Sequence, residues 1–252
     1  MLEKDTIYIY NDRGAGEEAV KQSQHMVTEN VGDKYNIQFI NAKSVKEGLW
    51  IKNAALFILP GGADLPYCKK LRGVGNERIR EYVEKGGSFL GICAGAYYAS
   101  SGIEFAKGHP RFEVIGKREL AFYPGIVVGP TFSEYDYASA RGSRAEKLIW
   151  KEGDNVATYI VYYQGGGHFM DPEKFPGIKI LGFYSGEAKE LPAIIEFSVG
   201  KGKVVLSGVH PEFDPSLMNK EDEFLHPIIP ILQEGNQERK ILCRKILNKL
   251  LR

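Results

Sequence analysis

Apolar and polar positions follow two regimes along this chain. In the first half, short apolar runs alternate with helical patterns. TIYIYN (6–11) is a β-branched and aromatic run broken by DRGAG. EEAVKQSQHMVTENV (17–31) sets Ala19, Val20, His25, Met26 and Val27 at loosely helical spacing, with Glu17 and Glu18 where acids favour a helix dipole. YNIQFINA (35–42) alternates as a strand does. AALFILPGG (54–62) and SFLGIC (88–93) are unbroken apolar runs, as expected of strands covered on both faces. Between them NERIREYVEKGG (76–87) reads as a helix opening at an Asn76 cap and closing on a glycine. This order predicts an α/β fold, a mostly parallel sheet with helices on both faces.

The second half is richer in strands. FEVIGKRELAFYPGIVVGPTF (112–132), KLIWKEG (147–153), ATYIVYYQ (157–164), IKILGFYS (178–185) and AIIEFSVGKGKVVLSGVH (193–210) all read as β. In the last, V-G-K-G-K is a hairpin turn, so extra β-hairpins are expected here. NQERKILCRKILNKLLR (236–252) closes the chain as an amphipathic helix. Ile241, Leu242, Ile246, Leu247 and Leu250 form its apolar face, and Arg and Lys form a solvated one. No repeat, low-complexity tract or linker interrupts the pattern, so residues 1–252 read as a single domain.

Composition narrows the function classes. A chain of 252 residues, 43% hydrophobic and 26% charged, can bury a sizeable core without a disulfide or metal staple. A net charge of +1 gives no electrostatic footprint for nucleic acid or an acidic membrane. The longest apolar stretches are strand-length, and MLEKDTIYIYN lacks the apolar core of a secretory signal. Cys68, Cys93 and Cys243 form no C-x-x-C, which predicts reduced thiols and a cytoplasmic location. The five histidines form no H-E-x-x-H, so no metal and no cofactor are expected. Nothing marks a protein-binding surface.

Chemistry concentrates around G-I-C-A-G (91–95). A cysteine between glycines, after a buried strand and before a helix, has the shape of a nucleophile elbow. A helix N-terminus there favours the thiolate, and the Ala94 N–H would be an oxyanion donor. Alternatively, the motif is tight strand–helix packing around an inert thiol. LPGG (59–62) ends another buried strand and places flexible backbone at the carboxyl edge of the sheet, where ligands bind in open α/β folds. In GVHPEF (208–213), His210 and Glu212 would point the same way if the segment is extended, so that Glu212 orients the ring.

The order strand-P-G-G, strand-G-x-C-x-G-helix, strand-H-P-E resembles the class I glutamine amidotransferase (flavodoxin-like) fold. That resemblance implies Cys93 as nucleophile, His210 as base, Glu212 as its orienter, and the Gly62 and Ala94 amides as an oxyanion hole. The acid follows the histidine, unlike the usual α/β-hydrolase order. Alanine at 94 disfavours relatives in which a histidine follows the cysteine. A longer resemblance runs through YIYNDRGAG, FILPGGADLPYCKKL, GGSFLGICAGAYYASSGIEFAKGHP, KRELAFYPG, YYQGGGHFMDPEKF and VGKGKVVLSGVHPEF. These look like the amidotransferase-like N-terminal domain of biotin–protein ligases, which also has stand-alone relatives. The ligase's own catalytic domain carries a G-R-G-R-x-G-type loop, which is absent here, so no biotin ligation is expected.

The sequence departs from glutamine amidotransferases at Tyr97, where that family usually has a glutamine within the substrate pocket. The resemblance and composition place Gly61, Asp64, Tyr67, Tyr97, Arg118, Tyr163 and Gly166 around a pocket for a small amide or carboxyl ligand. The expected function is cysteine-dependent amide hydrolysis or acyl transfer. The alternative is a small-molecule-binding or regulatory module without turnover.

Overall fold

The computed structural model describes residues 4–132, 134–136, 138–186 and 190–251. Strand β1 (Thr6–Tyr10) leads into helix α1 (Glu17–Val31), followed by β2 (Asn36–Ile40), α2 (Ala42–Glu47) and β3 (Ala54–Leu59). Helices α3 (Asp64–Leu71) and α4 (Val74–Glu84) precede β4 (Ser88–Ile92) and the short α5 (Ala94–Tyr98). Then come β5 (Ser100–Phe105), β6 (Val114–Lys117), β7 (Tyr123–Gly129), β8 (Arg144–Glu152), β9 (Asn155–Tyr163) and β10 (His168–Phe169). The last elements are β11 (Lys179–Tyr184), β12 (Pro192–Val199), β13 (Gly202–Ser207), α6 (Ile229–Glu234) and α7 (Asn236–Leu250).

Alternation within the strands builds the layers. Ile7 and Ile9 of β1, with Leu56 and Ile58 of β3, face α1 and α7 through Val20, Met26, Leu242 and Ile246. Tyr8, Tyr10, Phe57 and Leu59 face the other way. There they meet Val45, Leu71 and Ile79 of α2–α4 and Ile103 and Phe105 of a second sheet. Helices therefore cover both faces of the main sheet, as predicted.

The sheet itself corrects the prediction of a mostly parallel one. Its nine strands run β2-β1-β3-β4-β13-β12-β11-β8-β9. From β2 to β13 every pairing is parallel, and from β13 to β9 every pairing is antiparallel. The sheet is mixed because the β12–β13 hairpin reverses the chain, and β11, β8 and β9, all earlier in the chain, extend the sheet beyond β12. A second, four-stranded sheet, β10-β7-β5-β6, packs on the α3–α5 side.

Two helix predictions also change. The cap of α4 is Gly73. Asn76 lies buried inside the helix, donating to Glu119 and accepting from the Tyr98 hydroxyl. In α7, Ile241 is 43% exposed while Arg239 is 1% exposed. The inward stripe is Arg239, Leu242, Cys243, Ile246, Leu247 and Leu250, an i, i+3, i+4 series that includes a cation. Arg252, the last residue of the predicted helix, lies outside the described residues. Among the described residues, no helix is long and apolar enough to cross a membrane.

Candidate active site

The three sequence motifs meet because β3, β4 and β13 are adjacent parallel strands whose carboxyl ends lie side by side. LPGG leaves β3, Cys93 leaves β4, and His210 follows β13. The Cys93 N–H donates to Ser207 O at 2.7 Å, tying two of these ends together. The His210 N–H donates to Tyr162 O at 2.9 Å, fixing the histidine against the end of β9.

Cys93 has φ 49° and ψ −105°, a conformation that costs a non-glycine residue about 1–3 kcal/mol. Close packing imposes it. A Cβ on Gly95 would stand 2.0 Å from Leu59 O, and one on Gly91 would stand 2.8 Å from Gly95 O. The glycines of G-I-C-A-G thus serve strand–helix packing, and that packing forces the cysteine into an elbow. The tight strand–helix packing is present, with Cys93 at the turn between β4 and α5. Helix α5 has only five residues, so its local N–H groups matter more than its dipole. Among the described residues, no acceptor is paired with the N–H of Gly62 or Ala94, and both residues line a cavity with Cys93.

His210 is 5% exposed and Glu212 is fully buried; their Nδ1 and Oε1 lie 2.8 Å apart. They meet through a turn, in which the Phe213 N–H donates to His210 O, and not through the extended segment expected from sequence. Burial disfavours the imidazolium, but the Glu212 carboxylate and the charge and hydrogen bonding of Cys93 outweigh it, raising His210 to about 10. The sign of the linkage follows. This contribution to stability is complete below the ordinary histidine value of 6.5 and is lost as pH rises toward about 10. In Glu212→Gln the main favourable partner is gone, so the decline over that window should flatten. Urea midpoints measured across the window test this; parallel curves for both proteins would refute it.

Cys93 stands between two unequal spaces. On one side is a niche of about 20 Å³, bounded by Gly62, Asp64, Ala94, Tyr97, Phe105 and Gly165. That is room for about one water molecule. Tyr97 fills the rest: its buried hydroxyl donates to Gly165 O at 3.1 Å, and its ring meets Phe105 edge-on. On the other side is an open cleft of about 420 Å³, where Cys93 and His210 face Glu17, Glu18, Asp136 and Gln164. Tyr162 and Phe213 stack on each other and flank the His210 ring. The Gln164 side chain is fixed by Tyr162 OH and Ser139 O, at 2.9 and 2.8 Å. The thiol itself lies 3.7 Å from Gln164 O.

The remaining predicted residues divide. Gly61 touches the site from behind, since a Cβ there would stand 2.7 Å from His210 Cε1. Asp64 borders the niche and is held by Arg118 Nε at 2.6 Å; burial pushes its carboxyl up although Arg118 opposes this. Arg118 stands behind it on a separate cavity with Cys68 and Tyr98. Tyr67 is fully buried and donates to Pro60 O, Tyr163 donates to Gly166 O, and Gly166 lies against Gly208 O. These three shape the loops and do not border the niche or the cleft. Sequence reasoning missed Glu17, Glu18, Asp136, Tyr162, Gln164 and Phe213. Phe213 lay within the quoted GVHPEF and Tyr162 and Gln164 within YYQGGG, so proximity to a motif was the available signal.

Among the described residues, His25, Glu29 and Asp214 lie close enough to surround a cation. Arg239 and Lys240 already neutralise them, at 2.7 Å from Asp214 and Glu29 respectively. That donor set suits an ion-pair network better than a metal.

A family model for the N-terminal region of biotin-protein ligase matches residues 5–251. The biotin–protein ligase of Schizosaccharomyces pombe is 34% identical over 223 residues, covering 86% of this chain but only 35% of that protein. An uncharacterized protein of Chlamydia muridarum is 35% identical over 191 residues, 75% of this chain and 71% of its own length. Among solved structures, a thua-like protein from Bacteroides uniformis aligns with a TM-score of 0.54 at 11% identity, over 96% of this chain and 90% of that one. A cytoplasmic protein from Salmonella typhimurium aligns with the same score at 15% identity, over 98% and 100%. At such identities these two show a shared fold alone.

Proposed function

Because this chain belongs to the family of biotin–protein ligase N-terminal domains, we propose that it is a cysteine-dependent amide hydrolase or acyl-transfer protein on a class I glutamine amidotransferase-like fold. The observation that supports this most is the strained Cys93 presented beside a buried His210–Glu212 pair. His210 holds the proton of the pair as an imidazolium, which Glu212 favours, and the Cys93 thiolate attacks the amide carbonyl. The oxyanion then points toward the Gly62 and Ala94 N–H groups. His210 returns its proton to the leaving nitrogen as the C–N bond breaks, and water or an amine releases the acyl group. The niche takes the oxygen and little else, so the body of the substrate occupies the open cleft. Biotin ligation forms no part of this reading, because the chain holds no G-R-G-R-x-G-type loop.

Competitive labelling with iodoacetamide tests the pair. Near neutral pH, Cys93 should react at least about tenfold faster than the more exposed Cys68, and His210→Ala should remove most of that advantage. Labelling of Cys68 first, or no effect of His210→Ala, would count against the assignment. Tyr97 favours a second reading, a small-molecule-binding module without turnover. An amide that raises the melting temperature of both wild type and Cys93→Ala, yet is never hydrolysed, would identify it.

A further inference from the structure

Behind the His210–Glu212 pair, away from the cleft, a fully buried cation has no part in the chemistry above. Arg239, in the first turn of α7, is 1% exposed. Its Nη1 donates to Pro211 O at 2.9 Å, its Nη2 to Asp214 Oδ2 at 2.7 Å, and its Nε to Asn236 Oδ1 at 2.7 Å. Pro211 separates His210 from Glu212, and Asp214 lies two residues further on. All three guanidinium nitrogens are therefore engaged, two of them on the loop His210–Asp214. The Cys243 thiol donates to the same Pro211 carbonyl at 3.0 Å. Gln22 of α1 also grips Asp214, accepting from the Asp214 N–H at 2.8 Å and donating to Asp214 O at 3.3 Å.

The Pro211 carbonyl is the informative contact. It belongs to the planar peptide joining Pro211 to Glu212, so its direction sets the direction from which the Glu212 side chain departs. If that peptide rotates, Oε1 leaves Nδ1 and the imidazole loses its orienter. A buried arginine is costly unless fully paired, and an apolar residue would suit the inward stripe of α7 at lower cost. A guanidinium supplies what an apolar residue cannot, a rigid fork of donors at fixed angles. Burial opposes a charged Asp214, but the Ser216 hydrogen bonds and Arg239 bring its carboxyl down to about 2, so the fork closes on a carboxylate.

We propose that Arg239 is a positioning residue that locks the loop His210–Asp214, and so keeps the His210 ring on Cys93 without touching either side chain. The inference rests on the reading of Cys93 and His210 as a nucleophile–base pair. The test is the rate of Cys93 alkylation by iodoacetamide against pH. It is followed by mass spectrometry in wild type, His210→Ala, Arg239→Lys, Arg239→Met and Leu242→Ala. Leu242 is equally buried on the same helix and serves as the structural control. Both Arg239 variants should shift the pH profile toward that of His210→Ala, with a rate near pH 6 lower by roughly five- to twentyfold. Leu242→Ala should lower the melting temperature yet keep the wild-type profile within about twofold. Arg239→Lys keeps a cation opposite Asp214 and carries the test if Arg239→Met does not fold. Wild-type profiles in the Arg239 variants, beside a shifted His210→Ala, would overturn this inference alone. An equal shift in Leu242→Ala would overturn it as general loosening. An unshifted His210→Ala would overturn the nucleophile–base reading and this inference with it.

Discussion

Gly95→Ala is expected to cost more than about 3 kcal/mol, the largest stability loss of any single added methyl in the elbow. The new Cβ would stand 2.0 Å from Leu59 O and 2.9 Å from Leu59 C. Those are backbone atoms of β3, which is held between β1 and β4 and cannot retreat without breaking a ladder. Backbone strain plays no part, because Gly95 does not have a positive φ. Gly177→Ala makes the contrast: its φ is +85° and nothing lies within 4 Å, so about 1 kcal/mol of conformational cost is all that should appear. Denaturant midpoints of the two variants measure the difference. A loss below about 1 kcal/mol for Gly95→Ala would mean that α5 can slide away from β3, and that this contact does not impose the strain at Cys93.

The central part of the fold was legible because its strands are covered on both faces. AALFIL and SFLGI allow no alternation, and only a buried parallel strand explains that beside short loops. The strand direction of the second half was not legible. IKILGFY and ATYIVYY carry the same β signal in either direction, so the pattern located the strands without showing that they extend the main sheet antiparallel. Asn76 and Arg239 failed for a different reason. A polar residue in a helical pattern reads as a cap or a solvated face, and only tertiary partners reveal it as buried. Glu119 and Tyr98 claim Asn76, and Pro211 and Asp214 claim Arg239.

In the site, the legible residues sit at strand ends. Cys93, Gly62 and His210 follow β4, β3 and β13, and each was marked by glycine or proline next to an apolar run. The cleft walls were not legible, because Glu17, Asp136 and Phe213 come from segments far apart in sequence and have no shared pattern. In YYQGGGHF the glycines serve the fold: the Gly165 carbonyl accepts from Tyr97, the Gly166 backbone packs on Gly208, and the Gly167 carbonyl accepts from Tyr184. The stretch builds the plug of the niche.

Cys93→Ala is expected to lower turnover of any amide that the cleft accepts by at least about 10³-fold, with little change in stability. Alanine keeps the elbow backbone and its strain, so only the thiol is lost. Neither remaining cysteine can replace it. Cys243 is buried, spends its thiol on Pro211 O, and is pushed up to about 12 by burial. Cys68 borders a different cavity, with Arg118 and Tyr98, and burial raises it as well. Ammonia release from a panel of primary amides, compared between wild type and Cys93→Ala, measures the effect. Glutamine should give equal background from both proteins if its side chain must enter the niche that Tyr97 fills to about 20 Å³. The amides expected to respond are those whose bulk fits the 420 Å³ cleft beside His210. Hydrolysis that survives in Cys93→Ala would remove the nucleophile from the mechanism. Glutamine hydrolysis that depends on Cys93 would show instead that Tyr97 swings out of the niche, and that its bond to Gly165 is a latch and not a wall.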